Sequence, residues 1–240
     1  MTVDLVLVAA AVLVGAGTQR ITGMGFALMA SPLLVLVLGV ADGVATSQAL
    51  TLIASVVVLF QLWRSVEWAK AGLLIVASLV GIVPGVWLTR QLSAPVLSIL
   101  VGVLVIVALI AVMSNERARV FTGTAGGAAA GSLSGFMNVT AGVGGPPIVL
   151  YQLSTNWAHG PYVATVQVYF IGLNIASLLA GGAPGLEAAT WTAVIVALFG
   201  GLLLGDRLAR RVTDGQARFA IIVVALGGAT ATVVKGLLDL

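Results

Sequence analysis

The chain has 240 residues, 60% of them hydrophobic and 8% charged, with a formal net charge of +3 and a mean hydropathy of +1.17. Soluble domains carry about 25% charged residues, so this composition cannot build a water-soluble surface and the chain is an integral membrane protein. The absence of cysteine excludes disulfides, and with His159 as the sole histidine it also excludes a Cys/His metal site.

In so apolar a chain the basic balance reads as loop charge that sets orientation, not as a nucleic-acid surface. The first segment, MTVDLVLVAAAVLVGAG, has no basic n-region and carries Asp4. With further apolar segments behind it, it reads as a retained membrane helix rather than a signal peptide. Ten apolar helical segments follow one another near 3–19, 22–38, 43–63, 68–89, 94–113, 119–137, 142–156, 161–181, 186–206 and 216–237. A full crossing needs about 20 apolar residues, so the segments 22–38 and 142–156 are short. Each lies beside a glycine-rich break, GTQRITGMGFALMASP (Gly17 to Pro32) and SGFMNVTAGVGGPP (Ser134 to Pro147). Half-helices or re-entrant hairpins are expected at both.

The two halves resemble each other. VATSQA at Val44–Ala49 matches VATVQV at Val163–Val168, an offset of 119 residues. The same offset sets Gln19 on Asn138, Gly23 on Gly142, Gly25 on Gly144 and Gln48 on Gln167; Glu67 on Glu187 and Arg90 on Arg210 follow at 120. Such an ordered series indicates internal duplication of the kind transporters show. The expected fold is an all-α polytopic membrane protein of two repeats, 1–113 and 114–240, with about five helical segments each. With five segments per half, the loops holding Arg64 and Lys70, Arg117 and Arg119, and Arg207, Arg210, Arg211 and Arg218 share one side. Arg90, Lys235, Asp42 and Glu187 fall on the other, together with both termini. This satisfies the positive-inside rule and makes the repeats inverted. A four-plus-four arrangement with parallel repeats is the alternative.

Gly123, Gly127, Gly131 and Gly135 recur every four residues and form one smooth helix stripe. It is expected to pack against a neighbouring helix; the alternative is a surface along which a helix slides. Gly81, Gly85, Gly201 and Gly205 suggest further close packing. Trp63, Trp68, Trp87, Trp157 and Trp191 fall near segment ends, as interface anchors do.

Among candidate functional residues Arg20 is the most informative. A charge at mid-membrane depth costs at least about 2.5–3.5 kcal/mol on insertion scales and persists with a partner or a task. Acidic residues fall only at the ends of the apolar segments, none in their interior, so the counter-charge is either a substrate anion or nothing, in which case Arg20 snorkels to the surface. A broken helix also exposes unpaired N–H groups at the start of its next part, and the helix dipole favours anions there. Gly23 and Gly25 are expected to open one such helix, and Gly142, Gly144 and Gly145 the other. Gln19, Thr22, Gln48, Asn138, Thr140 and Gln167 supply amide and hydroxyl donors suited to an oxyanion; Asn174, Tyr162, Tyr169 and Gln152 are lesser candidates. No HExxH, GxSxG or P-loop is present, and nothing brings Ser134 and His159 together as a nucleophile and base. The chain is therefore read as a non-enzyme without cofactor or metal.

At these motifs the chain resembles the TauE/SafE family of membrane permeases, whose halves each carry a G-x-G-G-G motif followed by an apolar run with proline. AGVGGPPIVLYQL in the second half matches it. TGMGFALMASPLL in the first departs from it, with Phe26 and Ala27 where glycines are usual. GVWLTRQLSAPVLSILVGVLVIV is similar to the family's pattern at the end of a repeat. The resemblance implies a permease for sulfite, sulfoacetate or other organosulfonates. The expectation is a secondary transporter of a small anion in a bacterial inner (plasma) membrane, with the anion held between the two breaks. An anion channel or a membrane-embedded enzyme is the alternative, and homo-oligomerisation is left open.

Overall fold

The computed structural model describes residues 2–22, 26–114, 121–208 and 214–240. Gly23 and Gly25 lie outside the described residues, as do Arg117, Arg119, Arg210 and Arg211 and the side chains of Arg20, Thr22 and Arg218. All regular structure in the described residues is helical: α1 (Thr2–Thr22), α2 (Phe26–Leu38), α3 (Val40–Leu62), α4 (Trp68–Gln91), α5 (Ala94–Ser114), α6 (Gly123–Ala141), α7 (Gly145–Thr155), α8 (His159–Gly181), α9 (Ala188–Leu208) and α10 (Asp214–Leu238), with a single 3-10 turn at Trp63–Ser65. These ten helices correspond one to one with the ten apolar segments of the sequence. Five of the described stretches, including all of α4, α5 and α8, are long and apolar enough to cross a membrane.

Helices α2 and α7, of 13 and 11 residues, are the two short ones. At about 1.5 Å per residue, α7 covers roughly half of a 30 Å hydrocarbon core. It forms a hairpin with α6 that enters and leaves at one end of the bundle: the Phe121 N–H donates to Ser154 Oγ (3.3 Å), tying the approach to α6 to the last turn of α7. Helix α2 likewise runs back along α1. A Cβ on Gly15 of α1 would stand 3.1 Å from the Ala30 Cβ and 3.2 Å from the Phe26 ring.

The helix starts keep the sequence offset. Phe26 and Gly145 open α2 and α7, and Val40 and His159 open α3 and α8, each pair 119 residues apart; α4 and α9, and α5 and α10, start 120 apart. The last residues of α1 and α6, Thr22 and Ala141, also differ by 119. Packing follows the same exchange: α4 lies on α6 as α1 lies on α9, while α3 meets α8 and α5 meets α10.

Two main cores result. One is built from α1, α2, α3 and α9, around Val12, Phe26, Leu34, Leu50 and Leu198. The other is built from α6, α7, α8 and α4, around Leu74, Ile148, Tyr162, Tyr169 and Leu173. Each therefore borrows one long helix from the other half of the chain. The expected glycine packing accounts for Gly127, Gly131 and Gly135, which face α4, while Gly81 and Gly85 face α6. At Gly81 and Gly135 an added Cβ would run into the backbone carbonyl oxygens of Ser132 and Ser78. Gly123 departs from the stripe: it has φ +63° and open space around it, so it starts the helix rather than packing it. Phe60, Val76, Val80, Val83, Leu179, Val196 and Leu203 face outward, as lipid-facing positions do. Trp63, Trp68 and Trp87 are exposed near helix ends, but Trp157 is a buried exception with a bonded indole N–H.

Candidate functional site

The two ends of the bundle are joined differently. At one, Asp42 Oδ1 accepts from the Gly185 N–H (2.8 Å), Arg90 Nη2 donates to Ala180 O (3.4 Å) and Lys235 Nζ donates to Leu36 O (2.9 Å). At the other, Trp157 Nε1 donates to Glu67 Oε1 (2.7 Å), Lys70 pairs with Glu67 Oε2 (2.7 Å), and the Lys70 ammonium sits 4.2 Å from the Trp157 ring centre. The Glu67 N–H also donates to Thr165 Oγ1 (2.9 Å). The hydrogen bond from Lys70, helped by that from Trp157 and opposed by partial burial, holds the Glu67 carboxyl below its ordinary value.

Between these ends lies the second glycine break. Helix α6 stops because Gly142 turns left-handed, at φ 68°, and its N–H returns to Asn138 O. Glycine takes that conformation without strain, and a Cβ there would also stand 2.8 Å from Ser31 Oγ. Gly142 thus closes α6 instead of opening α7, a difference from the sequence reading. Gly144 caps α7 and Gly145 begins it, followed at once by Pro146 and Pro147. Proline has no N–H, so those two positions offer no donor and Gly145 carries what the first turn has.

A broken helix end leaves carbonyls unpaired. Side chains of the first half donate to the carbonyls at the end of α6 and just beyond it, at Asn138 as a second bond beside that from the Gly142 N–H. Gln48 Nε2 donates to Asn138 O (2.8 Å), Ser31 Oγ to Ala141 O (2.5 Å) and Ser47 Oγ to Gly142 O (3.4 Å). Asn138 Nδ2 in turn donates to Asn174 Oδ1 and Ser177 Oγ, both at 3.0 Å. Tyr169 OH donates to Ser134 Oγ (2.6 Å), whose own hydrogen goes to Gly144 O.

A small cavity of about 10 Å³ joins both breaks, room for about one water. Gln19 lines it from the last turn of α1, Phe26 and Ala27 from the start of α2, Asn138 from the end of α6, and Gly144 and Gly145 from the start of α7. Gln19 is 3% exposed and its Oε1 has no partner among the described residues. A second, larger space of about 250 Å³ opens beside Asp42 and Arg90 and reaches Gln48, Val139 and Thr140. The Gln48–Asn138 bond therefore stands between this vestibule and the central cavity.

Of the residues singled out in the sequence, the structure brings Gln19, Asn138, Gly144 and Gly145 to one cavity. Gln48 adjoins it through Asn138, and Gly142 through the turn. Thr140 lines the vestibule and bonds its own helix at Phe136 O (2.7 Å). Gln167 is fully buried on α8, with Nε2 on Val163 O (3.1 Å) and Oε1 unpartnered among the described residues. Arg20 stands in the last turn of α1, next to Gln19. Ser31, Ser47, Ser177 and Thr51 escaped the sequence reading, and Ser134 enters it only as a nucleophile beside His159. A serine inside an apolar segment was the available signal, but only the fold shows which serines face a broken end.

No curated protein and no solved structure matches the chain. A family model described as sulfite exporter TauE/SafE matches residues 7–232, nearly the whole chain and both helix breaks. With that match laid over a bundle of membrane-length helices broken at two glycine-rich points, the chain belongs to the TauE/SafE sulfite exporter family of membrane transporters.

Proposed function

We propose that the protein is a secondary transporter that exports sulfite or an organosulfonate such as sulfoacetate, from a bacterial inner membrane. The observation that carries this reading is the single cavity lined from both helix breaks, by Gln19 on one side and by Asn138, Gly144 and Gly145 on the other. Arg20, beside Gln19, supplies the positive charge, and the Gly145 N–H a backbone donor at a helix start. Thr22, Gly23 and Gly25 belong to the same break, and Thr140 and Gly142 flank its partner. At about 10 Å³ the cavity is smaller than the anion, so the state seen is closed at its centre and must widen to load.

The shared 119-residue offset of helix starts and the exchange-related packing support two inverted repeats, 1–113 and 114–240. With Lys70 and Arg64 on the cytoplasmic side, the vestibule at Arg90 faces outward. An inside-negative potential then drives an anion out by about 2.3 kcal/mol per charge per 100 mV. The Gln48–Asn138 bond that closes the vestibule off from the cavity favours alternating access over an open channel.

Thermal melting of the purified protein across sulfite, sulfoacetate, sulfate and acetate tests the reading. A ligand of the native state raises stability by about 2.7 kcal/mol at a hundredfold excess over its dissociation constant. Sulfite or sulfoacetate should raise the midpoint and Arg20→Gln should abolish the rise. A midpoint unmoved by every anion overturns the proposal.

A further inference from the structure

The vestibule beside Arg90 holds about 250 Å³, against about 10 Å³ at the centre. A water takes about 30 Å³ of liquid volume, so the vestibule admits a small oxyanion with part of its hydration shell, as the closed centre does not. Two charged residues line it, Asp42 from the first turn of α3 and Arg90 from the last turn of α4. They are not joined to each other. Asp42 Oδ1 is taken by the Gly185 N–H (2.8 Å), and Arg90 forms no ion pair among the described residues. A guanidinium carries five N–H donors and keeps its charge at any working pH. Here one donor is spent, on Ala180 O, in a long bond of 3.4 Å from an exposed side chain. The neutral lining has less to give: Thr89 and Thr140 donate their hydroxyl hydrogens to Val86 O (2.9 Å) and Phe136 O (2.7 Å), and Gln48 Nε2 is on Asn138 O.

We propose that Arg90 anchors a second oxyanion site, in series with the central one and on its outer side. An anion that has left the central cavity and passed the Gln48–Asn138 bond is held on the Arg90 guanidinium, whose fork matches two oxygens of a sulfite or sulfonate group, before it enters the external solution. Asp42 keeps that hold weak, because a carboxylate lining the same space repels the anion. A release site needs such weakness, since an ion on a transport path must bind well enough to enter and loosely enough to leave.

The bond to Ala180 O by itself would make Arg90 a cap on the last turn of α8. That role uses one donor and predicts a loss of stability on substitution, with no response to anions. The second site predicts an anion response in the vestibule itself. It rests on the transport reading above, with the vestibule facing outward, and adds a binding step to it. Because the outer hold is weak, anion concentrations that fill the centre in a melting experiment leave the outer site largely empty.

The chain has no cysteine, so Ala183→Cys, on the exposed wall of the vestibule, serves as a single reporter. The purified full chain is labelled with a maleimide in detergent, in sulfoacetate or in gluconate at equal ionic strength; sulfoacetate is the probe because sulfite itself adds to maleimides. By mass action sulfoacetate should slow labelling about tenfold at ten times its dissociation constant. Arg90→Gln should abolish that protection, and Arg90→Lys should keep part of it, as a charge without the fork. Arg20→Gln should leave it in place, since Arg20 acts at the centre. Labelling that sulfoacetate does not slow, or slows as much after Arg90→Gln, overturns the outer site. Protection lost with Arg20→Gln overturns it too, by assigning the effect to closure around a filled centre. So does slowing by added phosphatidylglycerol with none by sulfoacetate, which gives Arg90 to a lipid phosphate. Melting separates this site from the central one. A rise in midpoint that Arg20→Gln leaves whole and Arg90→Gln removes keeps the outer site and sinks the central one; a rise abolished by Arg20→Gln, without protection at Ala183→Cys, does the reverse.

Discussion

At the residue scale, the described side chains keep charge at the bundle ends and place amides and hydroxyls at its centre. Glu67 shows how an end is locked. Its carboxyl links α4 to the loop before α8, and its main-chain N–H donates to Thr165 of α8. Because its folded value is depressed, the stabilisation is present at neutral pH and is lost as pH falls below the ordinary glutamate value of 4.5. Glu67→Gln should lower the melting point at pH 7 and leave it nearly unchanged near pH 3, so the two proteins' pH profiles converge on acidification. Parallel profiles would show that the carboxylate contributes nothing.

The centre was partly legible from residues alone. Gln19, Asn138, Gly144 and Gly145 stood out as polar or glycine interruptions in apolar sequence, and all four line one cavity. Gly142 was recognisable as part of a break. Its role was not, since a left-handed end cap and a helix start call for the same residue type. Trp157 looked like an interface anchor but is buried against Glu67 and Lys70, because its ring packs edge-on against Tyr151 and Tyr162 while its N–H is satisfied by the Glu67 carboxylate.

At the element scale, the fold depends on helices that approach closely enough for backbone to touch side chain. Apolar lipid provides no hydrophobic drive between helices, so close packing of small residues carries the association. Helices α4 and α6 are the clearest case, with Gly81 and Gly85 on one and Gly131 and Gly135 on the other. Gly135→Leu would press against the Ser78 backbone, which cannot rotate away as a side chain can. Overpacking of this kind costs about 1–3 kcal/mol, and the loss should appear as a lowered melting point in detergent. Gly72 is the control: a Cβ there meets nothing within 4 Å. Gly72→Leu should be neutral or slightly stabilising, since glycine in a helix is about 0.5–1 kcal/mol worse than alanine. Equal losses at the two sites would refute the packing argument.

At the scale of the whole molecule, the halves interlock. Each main core takes a hairpin and a long helix from one half and a further long helix from the other, α9 in one case and α4 in the other. Neither half can bury its hairpin without the other, while the α3–α8 and α5–α10 pairs lie where the two bundles meet. Such a body suits the proposed transport by rocking one bundle against the other. The vestibule beside Arg90 also sets an orientation. A cysteine replacing Ala183 should react with impermeant maleimide added outside right-side-out vesicles, and one replacing Arg64 only when the inner face is exposed. The reverse pattern would turn the vestibule to the cytoplasm and oppose the positive-inside assignment.

Composition alone made this a membrane protein, since 8% charged residues cannot cover a soluble surface. Apolar run length marked ten helices and the two short ones, because the hydrocarbon core imposes a length on any crossing. The 119-residue offset was visible too, as duplication leaves matching residues in order. What only the tertiary structure decided is which helix supports which break. That Ser31, Ser47 and Gln48 cover carbonyls about 90 to 110 positions away follows from the crossing of halves. A serine or glutamine in an apolar helix reads the same whether it faces its own backbone, a neighbour or a substrate. The choice is made by which unpaired carbonyl the packing brings within reach of its donor.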